Sequence, residues 1–275
     1  MFCRLLILGI LLCSTLAGAS RATADEPSGS KTPLILAHRG GAYEYEENTM
    51  EGFRACYERG IRGFETDIRM TRDGVLVILH DDSLDRTHIG TGPVEEKTAD
   101  ELRAITTKKG QKFLLLDELL DYFADKPDVY IELEMKTSNK ALYPDERIAE
   151  YCKKLHEQAT ARKADGSTYL FTSFDHRPIK AIRALDEKAP ISIIAGKPLS
   201  AEFIELAKSL KATHIACQLN GTSRAMVEEA HKQGLKVNCW PGRAAQDFFL
   251  AIGLGVDVHC TDIPIAIQKV KEALP

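Results

Sequence analysis

The sequence lacks three features that would each have pointed to a common class of protein. Its 275 residues carry a net charge of −4, so it lacks the excess of Lys and Arg that a nucleic-acid-binding surface normally needs. It has no C-x-x-C pair, which argues against a zinc ribbon or a dithiol redox centre. No G-x-G-x-x-G follows its first predicted strand, which argues against a dinucleotide-binding sheet. What remains is an ordinary globular composition in a chain long enough to bury a large core.

The N-terminus has the pattern of an export signal. A short apolar run covers residues 5–12, and small residues follow it. The triplets that end at Ala19 and Ala24 both fit a signal-peptidase site, and the run is too short to span a bilayer comfortably. We therefore predict a signal peptide and cleavage region over 1–24, then a polar linker over 25–32. The mature protein is predicted to be secreted or periplasmic, with no stable membrane insertion.

Five cysteines follow the predicted signal peptide, and an odd number cannot all pair within one chain. We predict that most of them are small buried thiols, although export would permit one or two disulfides. The five are Cys56, Cys152, Cys217, Cys239 and Cys260.

Short apolar runs alternate with longer amphipathic segments along the rest of the chain. The predicted strands are 34–37, 63–68, 129–135, 168–173, 191–195, 214–217, 235–240 and 256–261. The predicted helices are 49–59, 116–123, 145–162, 177–187, 201–210, 223–233, 244–254 and 265–273. Near-continuous apolar strands are typical of a parallel sheet buried on both faces. Eight strands that alternate with eight helices predict an α/β fold, a closed (β/α)8 TIM barrel over 33–275, with an open doubly wound sheet as the alternative.

One further strand-like segment follows Asp73-Gly74, a pair that favours a two-residue type I′ hairpin loop. With these two residues as the loop, Asp67 faces His80 across an antiparallel ribbon. A hairpin cannot be a parallel step of a barrel. We therefore predict that residues 69–115 form a small inserted cap after strand two.

In a TIM barrel, catalytic groups lie at the carboxyl ends of the strands. The first strand ends in His38-Arg39, an imidazole that can move a proton near neutral pH and a guanidinium that can hold two phosphate oxygens. The second strand carries Glu65 and Asp67 on one face, and neighbouring carboxylates repel unless a cation or a proton lies between them. The alternative is an ordinary rim of loop residues and salt bridges.

The third strand continues the pattern with Glu132, Glu134 and Lys136 at a spacing of two. Glu134, together with Glu65 and Asp67, would supply three carboxylates, and oxygen ligands suit a hard cation such as Ca²⁺ or Mg²⁺. Lys136 would offer a point charge to a phosphate oxygen.

His80 supplies a second histidine, so His38 and His80 could act as acid and base on one phosphodiester. Trp240, the only tryptophan, ends the seventh strand and is interpreted either as a wall of the substrate pocket or as a core residue. Asp262 ends the eighth strand and is predicted to cap the last helix. The other six histidines show no ligand spacing and are predicted to be surface or core residues.

Taken in order, these segments resemble the glycerophosphodiester phosphodiesterases over nearly the whole chain from residue 34 to 264. The segments that carry the resemblance are His38-Arg39-Gly40, Glu47-Asn48-Thr49, Glu65-Thr66-Asp67, Asp73-Gly74, His80-Asp81, Glu134-Met135-Lys136, Ser173-Phe174, Trp240 and Thr261-Asp262. Each segment is weak alone, but their combination in this order is specific.

The resemblance implies a (β/α)8 barrel with a small insertion between strands two and three. It implies hydrolysis of glycerophosphodiesters to glycerol phosphate and an alcohol, with His38 and His80 as the acid/base pair. It also implies that Arg39 and Lys136 contact the phosphate. The implied ligands of a single Ca²⁺ or Mg²⁺ are Glu65, Asp67 and Glu134.

The chain departs from the family pattern near the rim. Glu46 stands where the family often has proline, Arg243 lies in a Pro-Gly-Arg segment where Thr-Val-Asn often follows the tryptophan, and residues 258–260 replace Gly-Ile-Ile. These changes concern substrate choice and not the reaction. Two alternatives stay open beside the main interpretation: a lysophospholipase D or sphingomyelinase D-like activity, and a non-catalytic exported binding protein. The alcohol head group, the acid and base assignment, a cyclic phosphate intermediate and the oligomeric state also stay open.

Overall fold

A computed structural model describes residues 32–274 of the protein. The strands within that range are β1 (Leu34–Ala37), β2 (Gly63–Met70), β3 (Leu76–Ile78), β4 (Tyr130–Met135), β5 (Thr168–Ser173), β6 (Ile191–Ile194), β7 (His214–Gln218), β8 (Lys236–Gly242) and β9 (Val258–Thr261). Eight of them form a parallel sheet in the order β1-β9-β8-β7-β6-β5-β4-β2, and β1 also pairs with β2. The sheet is therefore closed, and the predicted eight-stranded barrel is confirmed. The predicted signal peptide and all but the last residue of the predicted linker lie outside the described range.

Helices separate the barrel strands and cover the outside of the sheet, apart from one short helix at residues 99–103 that belongs to the insertion after β2. They are α1 (Met50–Glu58), α2 (Ala99–Arg103), α3 (Leu116–Phe123), α4 (Asp145–Ala161), α5 (His176–Leu185), α6 (Ala201–Ser209), α7 (Arg224–Lys232), α8 (Ala245–Leu254) and α9 (Pro264–Glu272). Several begin at a hydroxyl that accepts a backbone N–H, as Thr49 does at α1 and Ser223 at α7, which satisfies a donor that the first turn leaves free. No helix in residues 32–274 is both long enough and apolar enough to cross a membrane.

The two faces of the strands have different surroundings. Outward side chains such as Phe64, Ile131 and Ile215 are buried in the main core together with the helices. A smaller apolar cluster of Leu36, Val258 and Cys260 lies apart from that core, with Tyr130 and Trp240 packed against it. All five cysteines in the described residues are buried free thiols, as predicted.

The predicted hairpin is present, because β3 runs antiparallel to β2, but its predicted register is wrong by one residue. Ile68 pairs with Ile78, and the Leu79 N–H donates to the Asp67 carbonyl. Asp67 therefore lies opposite Leu79 and not opposite His80.

The physical reason is a loop of three residues instead of two. The Gly74 N–H donates to the Thr71 carbonyl, the Thr71 N–H donates to the Val75 carbonyl, and Gly74 has a φ of +80°. This geometry is a type I turn followed by a left-handed glycine, a common form of three-residue hairpin loop. The Thr71 hydroxyl fixes it by accepting the Val75 N–H and donating to Asp73.

The segment between β2 and α3 forms a cap with a small core of its own. Arg69 joins this cap to the barrel, because its buried guanidinium donates to Glu95 and to the carbonyls of Leu79 and His80. The cap core consists of Val77, Leu79, Leu84, Val94, Leu102, Phe113 and Leu115.

Candidate active site

The turn after β1 places the first two site residues over the end of the barrel. Arg39 has a φ of +51° and Gly40 a φ of +74°, so the chain reverses direction tightly. The Arg39 N–H donates to Glu65 Oε2 at 2.9 Å, and Arg39 Nε lies 3.5 Å from Asp67 Oδ2. A left-handed backbone at a non-glycine residue costs about 1–3 kcal/mol and often marks a functional position. Here it directs both His38 and Arg39 towards the strand-two carboxylates.

Three carboxylates meet beside this turn. The register of β2 and β4 sets Asp67 beside Glu134, and Glu65 lies one inward-facing position earlier on β2. One oxygen from each carboxylate lies within 4.8 Å of the others. Glu65 Oε1 and Asp67 Oδ1 are buried and have no hydrogen-bond partner among residues 32–274. An all-oxygen cluster with unpartnered buried ligand atoms fits a hard divalent cation, so these residues could hold a metal ion.

The pKa values of the cluster reflect crowded charges that are only partly compensated. Burial raises the pKa of Glu65 well above its usual value, and the charges of Asp67 and Glu134 raise it further. Burial also acts to raise the pKa of Asp67, but the charge of Lys136 and of other nearby cations outweighs this effect and lowers that pKa. A metal-free cluster therefore favours a proton on Glu65, which a bound cation would displace.

Two further side chains hold the cluster in place. Lys136 Nζ lies 2.7 Å from Glu134 Oε1 and 3.5 Å from Asp67 Oδ1. Asn48, to which sequence reasoning gave no individual role, donates its Nδ2 to Asp67 Oδ2 at 2.8 Å and accepts from Thr66. The only sequence signal for Asn48 was its place in the Glu-Asn-Thr segment.

His80 lines the same cavity although the predicted hairpin register was wrong. It shares the lining of this cavity with Glu65 and Glu134, and it is one of the groups that lower the pKa of Asp67. His80 Nδ1 lies 2.6 Å from Asp81 Oδ1, and Arg86 donates to both Asp81 oxygens. Burial acts to raise the pKa of Asp81, but the hydrogen bonds from Arg86 and His80 outweigh it and lower that pKa to about 2. Asp81 thus remains an anionic partner for His80.

Asp262 is a site residue, and its prediction as a helix cap was wrong. The residue before α9 is Ile263, and the first-turn N–H groups of Ile265 and Ala266 donate to the Glu44 carboxylate instead. Asp262 Oδ1 instead lies 2.5 Å from His38 Nδ1, while its Oδ2 accepts from Arg243 Nε at 3.1 Å. Burial acts to raise the pKa of Asp262, but the hydrogen bond and charge of His38, with help from Arg243, lower it. Asp262 therefore orients His38 as Asp81 orients His80.

These groups surround a cavity of about 170 Å³ at the carboxyl end of the barrel. Trp240 lines it and meets Phe174 edge to face, with ring centres 5.9 Å apart. Deeper in the cavity lies Glu132, which sequence reasoning placed on the inner face without a specific role. Burial raises the pKa of Glu132 to about 7, although hydrogen bonds from Tyr130 and Asn238 oppose the effect.

A second, more open depression of about 430 Å³ adjoins the cavity on the side of the cap. It shares His80, Glu134 and Lys136 with the cavity and is also lined by Asp82 and Ser138. The site therefore has a deep side within the barrel and an open side towards solvent.

Every predicted site residue lies in this region. His38, Arg39, Glu65, His80 and the Glu134–Lys136 pair line the cavity, as does Trp240, and Asp67 lies beside it in contact with Arg39 and Lys136. Asn48, Asp81, Glu132 and Asp262 complete the arrangement.

Comparisons with known proteins agree with this geometry. The model of the glycerophosphoryl diester phosphodiesterase family matches residues 38–266. A glycerophosphodiester phosphodiesterase of Caldanaerobacter subterraneus is 28% identical over 240 residues, which cover 84% of this chain and 94% of that protein. A putative glycerophosphoryl diester phosphodiesterase structure from Silicibacter pomeroyi is 25% identical with a TM-score of 0.78, and the match covers 87% of this chain and 93% of that one.

A phosphodiesterase structure from Oleispira antarctica also has a TM-score of 0.78. Its sequence is 20% identical to this one, and the match covers 88% of this chain and 98% of that one, so the comparison shows a similar fold. That protein was solved in complex with its product, sn-glycerol-3-phosphate.

Proposed function

The chain belongs to the glycerophosphoryl diester phosphodiesterase family and hydrolyses glycerophosphodiesters, and on that premise we propose how its residues perform the reaction. His38 and His80 act as the acid/base pair beside a divalent cation held by Glu65, Asp67 and Glu134. The observation that carries this proposal is the convergence of both imidazoles and the carboxylate cluster on one cavity.

Arg39 and Lys136 bind the phosphate of the substrate. Both line the cavity, and each is held in place by carboxylates of the cluster. The guanidinium can donate to two phosphate oxygens and the ammonium to one, which favours the extra charge of the transition state. When bound, the cation supplies further positive charge beside the phosphate.

Each histidine has its Nδ1 held by a carboxylate, His38 by Asp262 and His80 by Asp81, which leaves the two Nε2 atoms for the reaction. One imidazole takes the proton of the nucleophile as the new O–P bond forms. The other gives its proton to the alcohol oxygen as the second P–O bond breaks. With water as nucleophile the products are glycerol phosphate and an alcohol such as choline or ethanolamine. With the 2-hydroxyl of glycerol, a cyclic phosphate forms first and water then opens it.

The cation is Ca²⁺ or Mg²⁺ in this proposal, because all three ligands are carboxylates. Its affinity should fall as the pH falls, since Glu65 has a raised pKa in the metal-free site and must lose its proton on binding. Titration calorimetry in two buffers of different ionisation enthalpy would measure the released proton. Binding without proton release at mildly acidic pH would contradict this account of Glu65.

The direct test of the proposal is hydrolysis of glycerophosphocholine by the purified protein. We expect choline release that is abolished by EDTA and restored by Ca²⁺ or Mg²⁺ after dialysis, and that needs both histidines. A matched control is His231→Ala, because His231 lies on the outer helix α7 and pairs with Asp257. Full activity in excess EDTA would overturn the metal proposal, and equal activity of the His231 and His80 variants would overturn the acid/base pair.

We also propose that the protein is exported and processed after Ala19 or Ala24. The apolar run over 5–12 and the small residues after it support this proposal. Mass spectrometry of the mature chain from the extracytoplasmic fraction should find one of these two N-termini. An unprocessed chain in the cytoplasmic fraction would contradict it.

A further inference from the structure

Two residues of the proposed site are each held by a carboxylate that is not part of the metal cluster. His80 Nδ1 lies 2.6 Å from Asp81 Oδ1, and Arg39 Nη1 donates to Glu47 Oε1 at 3.2 Å. Asp81 follows β3 in the cap, whereas Glu47 belongs to the loop before α1. Neither carboxylate is among the described residues that line the barrel cavity. The two carboxylates therefore act from outside the substrate cavity and from different parts of the fold.

A single guanidinium, that of Arg86 in the cap, joins the two carboxylates. Its Nη1 and Nη2 donate to the two oxygens of Glu47, each at 2.7 Å. Its Nε donates to Asp81 Oδ2 at 2.6 Å, and its Nη2 donates to Asp81 Oδ1 at 3.1 Å. The planar group thus offers one edge to both oxygens of each carboxylate. The result is a chain of hydrogen-bonded partners in the order His80, Asp81, Arg86, Glu47 and Arg39.

The ion pairs of Arg86 differ from ordinary surface pairs. A pair between two exposed, flexible side chains contributes little to stability, and Arg86 itself is 49% exposed. Glu47, however, is only 14% exposed, and both of its oxygens accept from Arg86. Burial acts to raise the pKa of Glu47, but the hydrogen bonds from Arg86 and the charge of Arg39 outweigh this effect and lower that pKa. Glu47 is therefore an anion that depends on both cations.

Attachment of the cap to the barrel does not by itself explain Arg86. Thr107 Oγ1 of the cap donates to Glu46 Oε2 at 2.7 Å, and Gln111 Nε2 donates to Glu51 Oε2 at 2.8 Å. These two contacts already join the cap to α1 and to the loop before it. Arg86 differs from them because each of its two partners also holds a residue of the proposed site.

Removal of Arg86 would free the Asp81 carboxylate to rotate. Within residues 32–274, the groups that donate to Asp81 are His80 and Arg86, and Arg86 holds both oxygens. The Asp81 side chain is 28% exposed, so water can replace His80 once the carboxylate turns. The hydrogen bond at one ring nitrogen of a histidine decides which nitrogen carries the proton. Loss of Arg86 would therefore leave the Nε2 of His80 without a defined protonation state for the reaction.

We propose that Arg86 is a positioning residue for the hydrolysis. Through Asp81 it orients the imidazole of His80, and through Glu47 it orients the guanidinium of Arg39. It thereby sets the distance between a proton-transfer group and a phosphate-binding group, although it is not among the described residues that line the cavity. The inference rests on the proposed function for the roles of these two groups.

The test begins with Arg86→Ala and glycerophosphocholine as substrate. We expect kcat to fall about 10- to 100-fold, because two carboxylates lose charge-assisted hydrogen bonds and the groups they hold lose their orientation. Calcium affinity and melting temperature should stay close to wild type. Millimolar guanidinium should restore kcat several-fold, since the position is half exposed and the added cation can enter between the two carboxylates. Methylammonium should restore less, because it lacks the planar fork.

Two further variants separate positioning from attachment. Thr107→Val is the matched control, because it removes a contact between cap and barrel whose partner, Glu46, holds no site residue. It should lower the melting temperature, keep kcat within a few-fold of wild type and show no response to guanidinium. Arg86→Lys keeps the charge but loses the fork. It should lose nearly as much kcat as Arg86→Ala, and it takes the place of that variant if alanine prevents folding.

The tautomer of His80 supplies a readout that does not depend on turnover. Two-bond proton–nitrogen spectra of protein with labelled histidine show which ring nitrogen carries the proton. We expect the neutral imidazole to carry it on Nδ1 in the wild type, where it donates to Asp81, and to be a mixture of both tautomers in Arg86→Ala. Guanidinium should restore the wild-type spectrum. His38, which Asp262 holds, should keep its signals throughout and serves as the internal control.

The outcomes separate this inference from the proposed function. A kcat of Arg86→Ala within twofold of wild type, or equal losses of kcat in Arg86→Ala and Thr107→Val, would overturn the positioning role. A folded Arg86→Ala variant that gains nothing from guanidinium would overturn it as well. Wild-type protein that does not hydrolyse glycerophosphocholine would overturn the proposed function itself. The His80 spectrum then still decides the structural claim, because an unchanged tautomer in Arg86→Ala would show that Arg86 does not position this imidazole.

Discussion

Asp262→Asn tests the part of the site that the sequence interpretation assigned wrongly. The wild-type carboxylate accepts from His38 Nδ1 through one oxygen and from Arg243 Nε through the other. Asparagine has one accepting oxygen. If that oxygen serves Arg243, the amide NH₂ faces His38 and favours the tautomer with its proton on Nε2. His38 then presents a donor to the cavity and can no longer take a proton there.

The size of the effect follows from the lost contact. A hydrogen bond to a charged group contributes about 1.5–3 kcal/mol. Since about 1.4 kcal/mol of barrier corresponds to a tenfold change in rate, kcat should fall by about 10- to 150-fold. The KM for glycerophosphocholine and the affinity for Ca²⁺ should change little, because Arg39, Lys136 and the carboxylate cluster are untouched.

The assay is steady-state turnover of glycerophosphocholine, together with a calcium titration and a thermal melt of each variant. Arg243→Gln is the matched control, because it removes the other partner of Asp262 and leaves the carboxylate on His38. We expect its kcat to stay within a few-fold of wild type. A kcat within twofold of wild type for Asp262→Asn, or a parallel loss of kcat, calcium affinity and melting temperature, would refute the positioning role.

Three other predictions concern the metal, the histidines and the cap. Ca²⁺ at 100 times its Kd should add about 2.7 kcal/mol to the free energy of unfolding and raise the melting temperature by about 5–10 °C. Glu134→Gln should abolish this rise in melting temperature. An unchanged rise in that variant would remove Glu134 from the proposed metal ligands. His38→Ala and His80→Ala should each lower turnover at least about 100-fold, with the double variant little worse, and an additive double loss would show that the two act independently. Arg69→Met leaves the buried carboxylate of Glu95 unpaired and should lower the free energy of unfolding by about 3–5 kcal/mol in a urea titration. The exposed Arg72→Met should lower it by under about 1 kcal/mol. Equal losses would contradict the account of the cap.

The strands and helices could be predicted because their signals are local. The apolar runs and amphipathic periods predicted the observed bounds of β5 and α3. Most other predicted elements end within two residues of the observed ones. The spacing of two between Glu65 and Asp67 and between Glu132 and Glu134 placed all four on the inner face, where the structure has them. A spacing of two residues predicts the face on which a side chain lies, because each barrel strand is hydrogen-bonded to a neighbouring strand on both sides.

The hairpin register could not be predicted from the Asp-Gly pair alone. The pair fits both a two-residue and a three-residue loop, and the choice depends on the Thr71 hydroxyl, which binds the Val75 N–H. A one-residue change of loop length shifts every pairing of the ribbon. His80 lines the cavity in either case, because it lies beyond the last ladder pair and is held by Arg69 and Asp81.

The roles of Asp262 and Glu132 depend on contacts that are distant in sequence. Asp262 meets His38 across 224 positions, because closure of the barrel brings β9 beside β1. Glu132 meets Asn238 across 106 positions through the barrel interior. Nothing within a short window distinguishes Asp262 from an ordinary helix cap, or Glu132 from a candidate metal ligand such as Glu134. Both assignments required the closed sheet.

The separate core of the cap has a consequence for how the enzyme loses function. The seven side chains of this core form a cluster separate from the main core, whereas Leu76 and Ile78 of β3 pack in the main core. The part of the cap beyond β3 can therefore open as a cooperative unit while the barrel stays folded. His80 follows directly from a strand that contributes Val77 to this small core. Amide hydrogens of the cap should therefore exchange with solvent sooner than those of the barrel strands. On warming, the enzyme would become inactive through this partial opening before the barrel itself unfolds.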